Sequence, residues 1–216
     1  EFIQPYINQG IIKQWFPRCV EFDNDQIIRR YNWADEEPRY VAVPGMNNLV
    51  KYLSKEMDVN LKTKIVLIEK TKKWNLIDEN GKTYRDFDWV ISTIPSPQAI
   101  DLLPKNFKFY KEITKIKMNP SYSLLLGFTN PVPLDYEVAR VKNSDLSWIA
   151  INSHKPGRLK PFTIVVHSSE NYAQSHIDHD RELVMQHLIK ETSRIIGRDV
   201  SVADYKSVHF WRYANC

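Results

Sequence analysis

At 216 residues the chain can hold one large domain or two small ones. A composition that is 43% hydrophobic and 12% aromatic, with charges of both signs, supports a core and excludes a disordered chain. The net charge of +4 includes Lys62, Lys64, Lys70, Lys72 and Lys73, but these flank an alternating apolar pattern. They read as the solvent side and edges of strands, so no nucleic-acid interface is expected.

Residues 1–10 read as the end of a helix closing at Gly10. Short strands follow at Ile11–Trp15, Val20–Phe22 and Gln26–Ile28, with Asn24-Asp25 as the turn between the last two. Pro44-Gly45 punctuates the chain. After it, Met46, Leu49, Val50, Leu53 and Met57 share one helical face.

A strand meander comes next: Ile65–Ile68, then Trp74–Ile77, the turn Glu79-Asn80-Gly81, and a return through Tyr84 and Phe87. Asn-Gly there supplies the positive φ angles of a tight hairpin. Trp89–Thr93 reads as a more buried strand ending at Pro95. Ser96-Pro97 then starts a helix, with Ser96 as cap and Pro97 in the first helical position.

Longer strands follow residue 104, at Tyr122–Phe128, Trp148–Ile151 and Phe162–His167. One long helix fits residues 179–196, with Asp178 as cap and Leu183, Val184, His187, Leu188 and Ile195 facing inward. Tyr205–Tyr213 is the last strand. Hairpin-joined strands with helices to one side predict an α+β fold with a mixed, largely antiparallel sheet and flanking helices.

No apolar run approaches the ~20 residues that cross a bilayer. The opening Glu1-Phe2-Ile3-Gln4-Pro5 has no signal-peptide pattern. The Phe210-Trp211-Arg212-Tyr213 pattern still running near the last residue predicts a sequence trimmed at both ends. Cys19 and Cys216 make neither a disulfide framework nor a zinc site, so a reduced, cytoplasmic protein is expected.

The six glycines stand far apart, which rules out both G-x-G-x-x-G and the P-loop spacing: the chain carries no phosphate cradle of either type. His176, Asp178, His179 and Asp180 form a His/Asp cluster, but it reads as a polar helix start, and no metal site is expected. Ser168-Ser169 beside His167 is too generic for a nucleophile pair, and no catalytic residue is assigned. In His209–Tyr213, alternation puts His209, Trp211 and Tyr213 on one face and Phe210 and Arg212 on the other. The first set reads either as a wall for a flat heteroaromatic ring or as a core face with one snorkelling arginine nearby.

Several stretches together resemble the renalase-like proteins, a branch of the flavin-containing amine-oxidase superfamily. They are Arg39–Met46 (R-Y-V-A-V-P-G-M), Trp74-Asn75-Leu76, Val90–Ala99 (V-I-S-T-I-P-S-P-Q-A), Met118-Asn119-Pro120 and Leu125–Phe128. The rest are Trp148-Ile149-Ala150, Lys155-Pro156-Gly157-Arg158, Val165–Ser169 and His209–Ala214.

The resemblance implies three segments. Residues 1–43 would be the first substrate-domain strands. Residues 44–104 would hold a helix, the strand meander belonging to the FAD domain and a strand–helix unit packing on that domain. Residues 105–216 would be the main part of the substrate-binding domain, with an amine-oxidase-type sheet. It implies FAD in the intact protein and not in this piece alone, with Val66, Thr93, Pro95, Ser96, Pro44 and Gly45 near the cofactor. Met46, Trp211, Arg212 and Tyr213 would face the substrate.

The implied chemistry is hydride transfer from substrate to flavin and then to oxygen, with isomeric dihydronicotinamide dinucleotides as the substrate. The cofactor does the electronic work, which accounts for the lack of paired carboxylates or a triad. A flavin amine oxidase and a non-catalytic ligand-binding or interaction module are the rivals. The partner expected is a small molecule, with no nucleic acid and no membrane, and with self-association through exposed strand edges.

Overall fold

The computed structural model describes residues 2–33, 38–158 and 160–215; Cys216 lies outside them. The chain forms two compact units, Glu1–Met57 with Pro120–Arg212, and Asp58–Asn119 with Tyr213–Cys216. The divisions fall later than the expected 43/44 and 104/105 for local reasons. Asn48 Nδ2 donates to the Val43 carbonyl at 2.5 Å, which ties the helix after Pro44 to the first unit. Tyr110 Oη donates to the Ile100 carbonyl at 3.4 Å, which keeps the residues past 104 in the second.

In the first unit, α1 (Gln4–Asn8) closes before Gly10, whose φ is 70°. The main sheet contains β2 (Arg18–Asp23), β3 (Gln26–Asn32), β8 (Asn119–Phe128), β9 (Val138–Lys142), β10 (Leu146–Ile151), β11 (Phe162–Ser168) and β12 (Tyr205–Asn215). Their order is β12-β8-β11-β10-β9-β2-β3. Neighbours from β8 to β9 are antiparallel, as are β2 and β3, while β2 and β9 run parallel. The fold is therefore α+β with a mixed, mostly antiparallel sheet. Strand β9 and helix α5 (Glu170–Ser175) carried no sequence signal strong enough to be expected.

Alternation sets the two faces of the sheet. Phe162, Ile164 and Val166 of β11 share a buried face with Tyr122, Leu124, Leu126 and Phe128 of β8. Helix α6 (Arg181–Ile196) covers that face with Val184, Leu188, Ile189 and Ile195. Two members of the expected inner face are corrected: Leu183 is 65% exposed and His187 is also exposed. Leu183 sits about 100° round the helix from Val184, which is enough to leave the apolar stripe. The cap is Asp180, not Asp178; its carboxylate accepts from Glu182 N at 2.8 Å and Leu183 N at 3.2 Å.

Part of the opposite face is covered by a two-stranded sheet of β1 (Ile12–Trp15) and β4 (Arg39–Ala42). Trp15, Trp33 and Val41 pack there with Cys19, Val138 and Ala150. Helix α2 (Asn47–Leu53) is present, but its expected apolar face is largely open, with Met46, Val50, Leu53 and Met57 all exposed.

The second unit holds the meander, an antiparallel sheet of β5 (Ile65–Lys70), β6 (Trp74–Asp78) and β7 (Thr83–Phe87). Its turn depends on Asp78 as much as on Asn80-Gly81. Only Gly81 of that pair has a positive φ, 80°, while the buried Asp78 carboxylate accepts from the amides of Asn80 and Lys82 and from Tyr84 Oη. The buried strand expected at Trp89–Thr93 does not form. Trp89 is 84% and Ile91 85% exposed, and the segment has no ladder partner among the described residues. Helices α3 (Ser96–Leu102) and α4 (Tyr110–Ile113) follow. Pro95 rather than Ser96 occupies the N-cap position of α3, and no side chain caps it. The Ser96 hydroxyl instead donates to the Ile116 carbonyl at 3.5 Å.

Candidate functional site

The uncovered part of the second sheet face carries a row of polar and aromatic side chains. Register places Trp148 of β10 opposite His167 of β11, and His167 opposite Ser123 of β8. Trp211 of β12 completes the row by donating its indole N–H to Ser123 Oγ at 3.1 Å. Ser123 Oγ also lies 2.9 Å from His167 Nδ1. All three groups are satisfied when the hydroxyl accepts from the indole and donates to Nδ1, which places the proton of a neutral imidazole on Nε2. Burial, followed by the positive charge of Lys155, lowers the His167 pKa and favours that neutral form. In that arrangement the row offers an imidazole N–H donor, two indole rings and His209, whose ring meets Trp211 at 4.3 Å.

At one side of the row, Trp148 stacks on Trp33 with ring centroids 5.5 Å apart. Lys155 Nζ lies 5.3 Å over the Trp15 ring. Lys155 and Arg158 bracket a tight turn: Arg158 N–H donates to the Lys155 carbonyl at 3.1 Å across Pro156-Gly157, and Gly157 has φ 71°. Proline followed by a positive-φ glycine is the type II pattern. A Cβ on Gly157 would meet Val43 Cγ1 at 2.3 Å, so glycine is required by space as well as by backbone angle. Arg158 Nη1 donates to the Ala42 carbonyl at 3.3 Å and would sit 3.7 Å from a Cβ on Gly45.

The residues expected at the substrate are therefore spread out. Trp211 is in the row. Met46 and the cis-linked Pro44 are exposed on the loop around Gly45. Arg212 lies on the other side of β12, 3.8 Å from Asp178 and over the Phe210 ring. Tyr213 is half-buried and falls within the second unit. Ser123 was not singled out, His167 was weighed only beside Ser168-Ser169 and set aside, and Trp148 was given no site role. Their one signal in the sequence was a polar residue within each of two apolar strands.

In the second unit, a cavity of about 610 Å³ is lined by β5, residues 90–94 and α3. Val66 and Thr93 line it, Pro95 occupies the N-cap position of the adjoining helix and Ser96 opens it. Its walls are mainly aliphatic, with Ile65, Ile68, Leu76 and Leu102 among them. His176, Asp178, His179 and Asp180 have structural surroundings. His176 stacks on Tyr172 at 4.0 Å, His179 meets His176 edge-on, and the two aspartates serve as described above.

No protein-family profile matches the chain. Solved structures do match its fold. A protein provisionally assigned as a protoporphyrinogen oxidase, from Exiguobacterium sp. 255-15, aligns over 82% of this chain with 15% identity and a TM-score of 0.65. A putrescine oxidase variant aligns over 83% with 11% identity and a TM-score of 0.65. A reduced UDP-galactopyranose mutase aligns over 83% with 12% identity and a TM-score of 0.60. The chain spans about two fifths of each of these proteins, 40%, 42% and 41% respectively. At these identities the likeness is one of fold. No helix among the described residues is long and apolar enough to cross a membrane.

Proposed function

We propose that this chain is the substrate-side part of an FAD-dependent oxidoreductase that oxidises an isomeric dihydronicotinamide dinucleotide and passes the electrons to oxygen. The observation that carries the reading is the row Trp148–His167–Ser123–Trp211. It sits on a sheet of the fold shared with putrescine oxidase and the assigned protoporphyrinogen oxidase. Indole walls suit a flat heteroaromatic ring, and the His167 Nε2–H suits the carbonyl of its carboxamide.

The residues present fit part of the cofactor. The aliphatic cavity lined by Val66 and Thr93 has the size for a flat ring system. The chain has no G-x-G-x-x-G cradle for a pyrophosphate. Bound flavin supplies the two-electron acceptor. This chain's residues orient the substrate ring and keep water from it.

Charge favours this substrate over an amine. Lys155, whose charge acts on His167, repels a protonated amine, and the row itself contains no carboxylate.

Anaerobic spectroscopy of the intact protein tests the reading. A flavin absorption band that bleaches on adding isomeric dihydronicotinamide dinucleotide, and not on adding putrescine, is expected. Bleaching by amines alone would establish the amine-oxidase alternative. Absence of any flavin band, even after incubation with FAD, would establish the non-catalytic module.

A further inference from the structure

Lys155 and Arg158 are two cations of one turn, neither paired with an anion among the described residues. The turn hydrogen bond at 3.1 Å makes them the first and fourth residues of one β-turn. That turn is rigid, because Pro156 fixes one angle and Gly157 is wedged against Val43. Neither side chain meets a carboxylate among the described residues. The nearest acid that engages this loop is Glu137, which is 3.8 Å from His154 and is paired with Arg18. Both cations are half-buried.

Their titration agrees with the geometry. Burial lowers the pKa of each, and the like charge of Arg158 lowers Lys155 further. Partly buried like charges with no counterion among the described residues are unfavourable, and an arriving anion would relieve that cost. Arg158 uses one N–H on the Ala42 carbonyl, which leaves the rest of its guanidinium available.

We propose that Lys155 and Arg158 form a phosphate subsite that holds the substrate's phosphate beside the ring-binding row. This rests on the reading of the row as the ring site. It assigns a role to the Lys155-Pro156-Gly157-Arg158 turn, which carries an ammonium and a planar guanidinium on its first and fourth residues. The phosphate would fix which end of the substrate lies over Trp148 and Trp211.

Calorimetric titration of this chain tests it. The probes are dihydronicotinamide mononucleotide, dihydronicotinamide riboside, inorganic pyrophosphate and malonate, applied to the wild type and to Lys155→Gln and Arg158→Gln. The mononucleotide is expected to bind about tenfold or more tighter than the riboside, the gap of one charge-assisted phosphate contact. Each variant should close that gap and leave riboside affinity unchanged. Pyrophosphate should compete with the mononucleotide, and malonate should not.

Equal binding of mononucleotide and riboside would overturn the subsite and leave the ring site standing. Pyrophosphate binding that both variants abolish, with no binding of either nicotinamide compound, would support the subsite and overturn the ring reading. Competition by malonate equal to that by pyrophosphate would overturn the assignment to phosphate. Binding of none of the four would overturn the subsite.

Discussion

A serine hydroxyl that accepts from an indole N–H can donate to the imidazole nitrogen beside it. His167 is neutral at neutral pH because burial and Lys155 both disfavour its charged form. A histidine whose folded pKa lies below its unfolded value stabilises the fold above the ordinary imidazole pKa of 6.5. That contribution is lost as pH falls through 6.5 towards the folded value, because the unfolded chain then binds more protons. The stability difference between wild type and His167→Gln, from urea unfolding, should therefore shrink on acidification from about pH 7.5 to 5. A difference that stays constant with pH would show that His167 is not held neutral.

Gly157 gives a second expectation at this scale. Gly157→Ala should destabilise by about 2 kcal/mol, combining the positive φ with the overlap on Val43. Adding Val43→Ala should recover the overlap part and not the backbone part, measurable in a double-mutant cycle. The aromatic face of Trp211 was legible in the sequence from period-two alternation. Ser123 and His167 were not, because they meet through strand register over 44 positions and sequence spacing does not report register.

The helices show how far local pattern reaches. The span expected for α6, 179–196, nearly matches Arg181–Ile196, because its apolar stripe repeats over four turns and Gly197 ends it at φ 64°. The cap was placed two residues early because Asp178 and Asp180 are alike in the sequence, and only the entry angle of the chain selects between them. Asp180→Ala should cost about 1 kcal/mol and Asp178→Ala much less, read from thermal or urea unfolding. Leu188 is fully buried against the sheet, so Leu188→Ala should cost about 3 kcal/mol. Leu183→Ala, on the exposed side, should cost a small fraction of that. For α2 the same periodic signal predicted burial that does not occur, since amphipathicity states which face is apolar and not whether anything covers it.

At the scale of the whole molecule, the two units differ in how well their apolar residues are covered. In the first unit, Tyr122, Leu124, Ile164, Val166 and Leu188 lie buried between the sheet and α6. In the second, Val66, Leu67, Trp89, Ile91 and Ile94 are all exposed. The run Trp89–Thr93 has the composition of a buried strand, and a strand pattern requires a neighbour that sequence composition alone cannot supply. An unpaired extended backbone with large apolar side chains favours edge-to-edge pairing. This chain should therefore self-associate as its concentration rises, seen as a growing sedimentation coefficient. The double variant Trp89→Ser with Ile91→Thr should shift that association to higher concentration by about thirtyfold, since each side chain removes on the order of 1 kcal/mol of contact. Its thermal unfolding should stay close to wild type, because both side chains are more than four-fifths exposed, Trp89 84% and Ile91 85%. Association unchanged in the double variant would place the sticky surface elsewhere, with the open face of α2 at Val50 and Met57 the next to substitute.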